Sequence, residues 1–361
     1  MKFIGLCFCS LIVSNSISAD NIQSTKGYKE ENVIYYNSDS TLHFGATLTL
    51  PEQTKKVPAV ILVSGTGKQD RDGTMAGHKM FAEIADYLGR RGIAVLRTDD
   101  RGVGETNGEY ETATTADFAT DALTAVEYLK SRKEIDNKKI GLIGHSEGGA
   151  AISIAASESK DIAFMISLAG LATDGLSSLL RQNEDLVEAA NIPEYNKRRY
   201  NEINSLMFHT AYEYADSDSL EIKLNETFNT WKIKDDEFFK SLNTGGYDHF
   251  RFPIYSYVKQ AVGPWYRFFI RYNPNTYLSK VTIPVLALNG DKDIMVAADQ
   301  NLGNFKKYLS HNNDVTTISI PGLNHLFLPC TTCTQQEYST IKSEFSGETL
   351  QLIYNWIEKH I

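Results

Sequence analysis

Five short apolar runs, at 57–63, 93–96, 140–143, 162–168 and 285–288, are rich in β-branched residues and apolar at odd and even positions alike. A strand with that pattern must be buried on both faces, which a parallel sheet covered by helices on two sides provides. Segments of helical period separate the first four runs. After Thr115, for example, Phe118, Ala122, Ala125, Val126 and Leu129 fall on one side of a helix. Further helices are expected at 80–91, 149–156, 299–309 and 348–360, with a last strand at 315–320. Ahead of the first run, 33–36 and 42–50 alternate like an antiparallel pair around a turn at Asn37-Ser38-Asp39. The pattern predicts an α/β fold with a mostly parallel central sheet flanked by helices.

Between 171 and 277 the alternation stops, and a charged, aromatic, helical-looking stretch intervenes. We read 171–277 as an inserted helical cap and 20–170 with 278–361 as the core around it. More than half of the chain's aromatic residues (Phe 17, Tyr 19, Trp 3) lie between Tyr195 and Tyr277. Such a density either fills a small core of its own or lines a pocket. For single members such as Trp231 and Tyr255, core packing is expected.

The N-terminus reads as a separate device. Lys2 precedes an apolar run at 3–13 and small polar residues ending at Ala19, the composition of a secretory signal peptide over 1–19. Export to the periplasm or beyond is the expectation. Cys7 stands too near the start for a lipoprotein signal. No later run reaches about 18 consecutive apolar residues, so no stable membrane insertion is expected. The formal charge of −9 is not accompanied by a stripe of Lys and Arg, which leaves a nucleic-acid role without an electrostatic footprint. After the leader only Cys330 and Cys333 remain of the 4 cysteines. An oxidising compartment favours a disulfide between them; a metal half-site would lack neighbouring ligands.

The chemistry gathers around Gly144-His145-Ser146-Glu147-Gly148, placed between a buried strand and a helix. A serine on so sharp a turn presents its hydroxyl, and a glycine on either side lets strand and helix approach. Serine is a poor nucleophile until a histidine takes its proton and a carboxylate orients that histidine. Past the strand at 285–288 stand Asp291 and Asp293. Asp291 follows Gly290 and is expected to shape the turn, leaving Asp293 as the acid. Of 8 histidines, His325 alone lies in the loop between the final strand and the closing helix, opened by Pro321-Gly322. His145 should point away from Ser146 and pack or bond to backbone. The loop Ser64-Gly65-Thr66-Gly67 lacks the lysine-serine ending of a nucleotide-binding loop. The backbone N–H groups of Thr66 and Glu147 are expected to form an oxyanion hole. Neither a metal nor an organic cofactor is implied.

With these residues assembled, the chain resembles bacterial serine esterases of the α/β-hydrolase fold, similar to EstD-type carboxylesterases. The resemblance runs from about Tyr28 to the C-terminus. It rests on Ser64 to Gly73, Leu96 to Gly104, the serine turn, Pro264-Trp265-Tyr266-Arg267-Phe268-Phe269, Pro284 to Asp293 and Pro321 to Phe327. It implies a Ser146–Asp293–His325 carboxylesterase with a helical cap, acting on small-molecule esters. The charges at 69–72 and 99–101 read as loop-fixing ion pairs. Lys68, where proline is expected, and the Cys330/Cys333 pair depart from the pattern without touching the triad. A serine peptidase, or a thioesterase or acyltransferase, would use the same machinery. A non-enzymatic binding protein is disfavoured because all three triad residue types occur in order.

Overall fold

A computed structural model describes residues 26–243 and 245–361. The expected leader at 1–19, with Cys7 and Cys9, lies outside the described residues. Eight strands form one sheet: β1 (Tyr28–Tyr36), β2 (His43–Pro51), β3 (Val57–Val63), β4 (Ala94–Thr98), β5 (Ile135–His145), β6 (Phe164–Leu168), β7 (Val285–Gly290) and β8 (Val315–Ile320). Their order across the sheet is β1-β2-β4-β3-β5-β6-β7-β8. The β1–β2 and β2–β4 pairings are antiparallel, and every later pairing is parallel. The chain is an α/β fold with a mostly parallel sheet, as the alternation of apolar runs predicts.

The period of two within β3 shows why its run is apolar throughout. Ala59, Ile61 and Val63 join the core on one face, and Val60 and Leu62 join the core on the other. Helices α1 (Met80–Gly89), α2 (Thr115–Ser131) and α3 (Glu147–Glu158) follow β3, β4 and β5. Helix α2 starts where Thr114 and Asp117 form a reciprocal capping box, a signal written in the sequence three residues apart. After the insertion come α10 (Ala298–Tyr308), α11 (Gln335–Tyr338) and α12 (Gly347–His360). Helices α2, α3 and α10 cover one face, while α1 and α12 cover the other.

Between β6 and β7 the chain forms α4 (Gly175–Ala189), α5 (Glu194–Tyr214), α6 (Leu220–Ser241), α7 (Ile254–Ala261), α8 (Pro264–Arg271) and the short α9 (Asn275–Leu278). Ile203, Met207, Leu224, Trp231, Phe250 and Val258 give these helices a core of their own. Beside it Arg199 is buried between Asp235 (2.6 and 2.7 Å) and Asp248 (2.6 and 2.9 Å), with the Phe250 ring 4.1 Å away. Trp231 packs as expected. Tyr255 does not: it is 85% exposed. The inward stripe of α7 is Ile254, Tyr257, Val258 and Ala261, the spacing of a single helical face, and Tyr255 lies off that face. Among the described residues no helix is long and apolar enough to cross a membrane.

Candidate active site

The loops that follow β3, β5, β7 and β8 all open at the carboxyl end of the parallel strands, where open α/β sheets gather their chemistry. At the end of β5 the strand stops at His145 and α3 begins at Glu147, so Ser146 makes the whole turn. Its φ of 56° and ψ of −121° lie where L residues rarely sit, a strain of about 1–3 kcal/mol that surrounding structure must hold. Ser146 N donates to Leu168 O (3.0 Å), while Ser146 O accepts from Gly149 N (2.9 Å) and Leu171 N (3.1 Å). The flanking glycines are demanded by proximity. A Cβ on Gly144 would stand 2.3 Å from Gly148 O, and one on Gly148 would stand 2.3 Å from Val63 O.

Past β7, Asp293 is 6% exposed and fully engaged. Its Oδ1 accepts from Met295 N (2.8 Å) and Val296 N (2.9 Å). Its Oδ2 accepts from Asn289 Nδ2 (3.0 Å) and His325 Nδ1 (2.8 Å). An ionised carboxylate only accepts, so Nδ1 carries the proton and Nε2 of His325 is left as the basic nitrogen. Asp291 takes the other part expected of it: its Oδ1 accepts from Gly322 N (2.7 Å) and ties the β7 turn to the β8 loop. His325 is held from beneath. Asn324 Oδ1 accepts from Leu326 N and Leu328 N at 2.9 and 3.1 Å, and His145 Nε2 donates to His325 O at 2.9 Å. The two imidazoles lie 4.6 Å apart. Burial, and then the neighbouring His325, push His145 down to about 3, so it stays neutral. Among the described residues Ser146 Oγ closes no hydrogen bond with His325; such contacts often tighten only when substrate binds.

The β3 loop packs against the serine, and a Cβ on Gly65 would stand 2.8 Å from Ser146 Cβ. Ser64 Oγ donates to Asp100 Oδ1 (2.5 Å), Gln69 N to Asp100 Oδ2 (2.8 Å) and Gly67 N to Tyr110 OH (2.7 Å). Burial raises Asp100 to about 7. Arg71 pairs with Asp99 and Glu105, and Arg101 with Asp121, so the charges of both loops fix backbone as expected. Among the described residues the backbone N–H groups of Thr66 and Glu147 have no protein acceptor. Sequence reasoning took Glu147 for its backbone alone. Its carboxylate is 1% exposed and accepts from Thr66 Oγ1, Thr115 Oγ1 and Trp265 Nε1. A carboxylate directly after the serine, at the start of a helix that is otherwise small and apolar there, was the available signal.

Ser146, Thr66 and His325 line one cavity of about 470 Å³, to which α4, α5, α7 and α8 also contribute walls. Phe208, Tyr257, Trp265, Tyr266 and Phe269 supply its aromatic wall, and Gln182, Asn204 and Gln260 its polar points. Among the described residues no Asp, Glu, Lys or Arg lines it. Beyond His325, Cys330 and Cys333 form a disulfide, and Glu337 accepts from the backbone N–H groups of Thr331, Thr332 and Cys333. Among the described residues no cluster of His, Cys, Asp and Glu could hold a metal ion.

Residues 58–329 match the family model of the alpha/beta hydrolase fold. Esterase EstD of Thermotoga maritima is 26% identical over 283 residues, which are 78% of this chain and 57% of that protein. An uncharacterized 31.7 kDa protein of Escherichia coli is 28% identical over 134 residues, 36% of this chain and 44% of its own length. The chain thus spans about half the length of these relatives. Among solved structures, the Pyrococcus furiosus esterase Pf2001 superposes with a TM-score of 0.55 at 16% identity, covering 93% of this chain and 92% of its own. The α/β-hydrolase GrgF from Penicillium sp. sh18 gives 0.55 at 17% identity, covering 92% and 99%. At such identities the superpositions speak for the fold alone.

Proposed function

The chain belongs to the α/β-hydrolase fold family, and on that premise we propose that it is a serine carboxylesterase hydrolysing short to medium acyl esters through an acyl-enzyme. One observation carries the reading: a strained Ser146 shares its cavity with His325, whose Nδ1 is hydrogen-bonded to Asp293. In the first half-reaction Ser146 Oγ attacks the acyl carbon and its proton passes to His325 Nε2. Asp293 keeps the imidazole in that tautomer and stabilises the cation it becomes. The N–H groups of Thr66 and Glu147 face the oxygen that gains charge, and the helix N-terminus adds its dipole. His325 returns the proton to the leaving alcohol. Water then repeats the sequence on the acyl-enzyme and releases the acid.

We read 171–277 as the cap, and its aromatics as the wall that limits acyl length. A cavity lined, among the described residues, by no Asp, Glu, Lys or Arg suits neutral esters better than peptides with ionised termini. The name of the Thermotoga relative agrees with ester hydrolysis. Export is part of the proposal, and the Cys330–Cys333 bridge is consistent with an oxidising compartment. The purified protein should be assayed on p-nitrophenyl esters of rising chain length, acyl thioesters and aminoacyl p-nitroanilides. Fastest turnover of a short or medium ester supports the proposal; faster anilide or thioester cleavage would replace it with the peptidase or thioesterase reading. Ser146→Ala should abolish turnover without lowering Tm, and activity remaining within about tenfold of wild type would remove Ser146 from the mechanism.

A further inference from the structure

We propose that the Glu147 carboxylate is a positioning residue that couples the seating of helix α8 to the shape of the oxyanion loop; the proposal rests on the serine-esterase reading. The chemistry of the group demands an explanation. Glu147 is 1% exposed, yet none of its bonded partners is a cation. Burying a carboxylate costs several kcal/mol unless its oxygens are satisfied. Here three neutral donors satisfy them, and each comes from a different element. Thr115 Oγ1, at the start of α2, donates to Oε1 at 2.6 Å, and Trp265 Nε1, on α8, donates to the same oxygen at 2.7 Å. Thr66 Oγ1, in the loop after β3, donates to Oε2 at 2.7 Å.

A leucine or methionine could fill this volume. Only an acceptor with two oxygens can collect the core helix, the inserted helix and the β3 loop at one point. The bond to Thr66 has a particular meaning, because it joins the side chains of the two residues whose backbone N–H groups face the oxyanion. The bond to Trp265 carries that junction to the cavity wall, where Trp265 stacks on Phe269 with 5.1 Å between ring centroids and both rings line the pocket. If α8 lifts, Oε1 loses a donor in a site where water cannot replace it cheaply, and the Thr66 bond must readjust. The oxyanion loop is therefore in register only when α8 is seated. The rest of that loop is already anchored by Asp100 and Tyr110, which leaves Thr66 as the point where α8 can act on it.

The test uses Trp265→Phe, which keeps an aromatic ring and removes the donor, and Thr66→Val, which keeps the shape and removes the hydroxyl. Each is measured with p-nitrophenyl acetate, whose acyl group is too short to need the cap wall. A small dialkyl fluorophosphate gives a second readout, as Ser146 Oγ displaces fluoride from phosphorus. Trp265→Phe should lower kcat and the labelling rate by about tenfold while KM stays within about twofold, the pattern of a misplaced catalytic group. The double variant should fall little further than the worse single one, because both changes break the same junction. Glu147→Gln, which keeps one acceptor oxygen, should lose less than Glu147→Leu. Should Trp265→Phe melt well below wild type, Thr66→Val carries the same expectation with the inserted helices untouched. Wild-type kcat and labelling in both single variants, a change confined to KM, or losses that multiply would each overturn the coupling. A wild-type protein that the fluorophosphate does not label would instead remove the serine-hydrolase reading beneath it.

Discussion

Asp293 and Asp291 stand two residues apart on the same turn, and the structure gives them different work. Asp293 Oδ2 meets His325, whereas Asp291 Oδ1 meets a backbone N–H of the neighbouring loop. Asp293→Asn should lower kcat by about 10⁴, since an amide donor in that place favours the wrong histidine tautomer. Asp291→Asn keeps an acceptor for Gly322 N and should stay near wild type in the same assay; the reverse ranking would reassign the acid. His145 makes a separate prediction in pH. Its pKa falls from 6.5 to about 3 on folding, through burial first. Below 6.5 the unfolded chain therefore binds a proton that the native protein refuses. Stability from this group is full above pH 6.5 and is lost as pH falls toward 3. His145→Gln, whose amide can still donate to His325 O, should flatten the decline of the urea midpoint between pH 6.5 and 4; an unchanged slope would mean other groups set it. The residues proposed as the triad could be picked out in the sequence because each stands just past a strand. The Glu147 side chain and the three donors it gathers were not, since they come from positions far apart in sequence that only the tertiary fold brings together.

Among the elements, strands were easier to read than the inserted helices, and the reason is burial geometry. The runs behind β3, β4, β5, β6 and β7 are covered on both faces, so nearly every residue reports the same environment. Helices α4 to α8 bury a narrow stripe against one another and turn other faces to the cavity or to solvent, so composition there is mixed. Tyr255 shows the consequence: an aromatic residue in an aromatic-rich segment that nevertheless faces outward. Within that segment Arg199 and Asp235 are 2% and 4% exposed, with Asp248 completing the group. Truncating one partner of a buried pair leaves the other charge poorly compensated, so Asp235→Ala should cost about 3 kcal/mol. Urea unfolding followed by tryptophan fluorescence reads it, because Trp231 packs against Phe250 beside the ion group. A loss below about 1 kcal/mol would show that Asp248 alone neutralises Arg199. The disulfide after His325 acts at the same scale. A loop that short removes little unfolded-state entropy, and Glu337 already gathers three backbone N–H groups there, so its contribution is to local stiffness near the histidine.

At the scale of the whole molecule the apolar contacts of the described residues separate into two cores against the sheet, a third among helices α4 to α8, and a small cluster of Leu326, Leu328 and Tyr338 beside the histidine. The third core meets the sheet core through Trp265 on α8 and Leu179 on α4, which pack against both, and the chain passes between them at 171–174. There Asn301 on α10 accepts from Ala172 N (2.8 Å) and Thr173 Oγ1 (3.1 Å) and so fixes the point where the insertion leaves the core. Units with their own cores open in their own cooperative steps, at a lower free energy than the elements they cover. Amide hydrogen exchange of the native protein should accordingly show α5 and α6 exchanging faster than β3, β5 and β6. Labelling Ser146 with the dialkyl fluorophosphate leaves a dialkylphosphoryl group in the cavity beneath the helices, so it should slow α8 most, because that helix carries Trp265 to Glu147, and α6 least, because it lends the cavity no residue. Equal protection of α5, α6 and the central strands would mean that the insertion and the sheet unfold as one unit, and the cap could then not move to admit substrate without opening the whole fold.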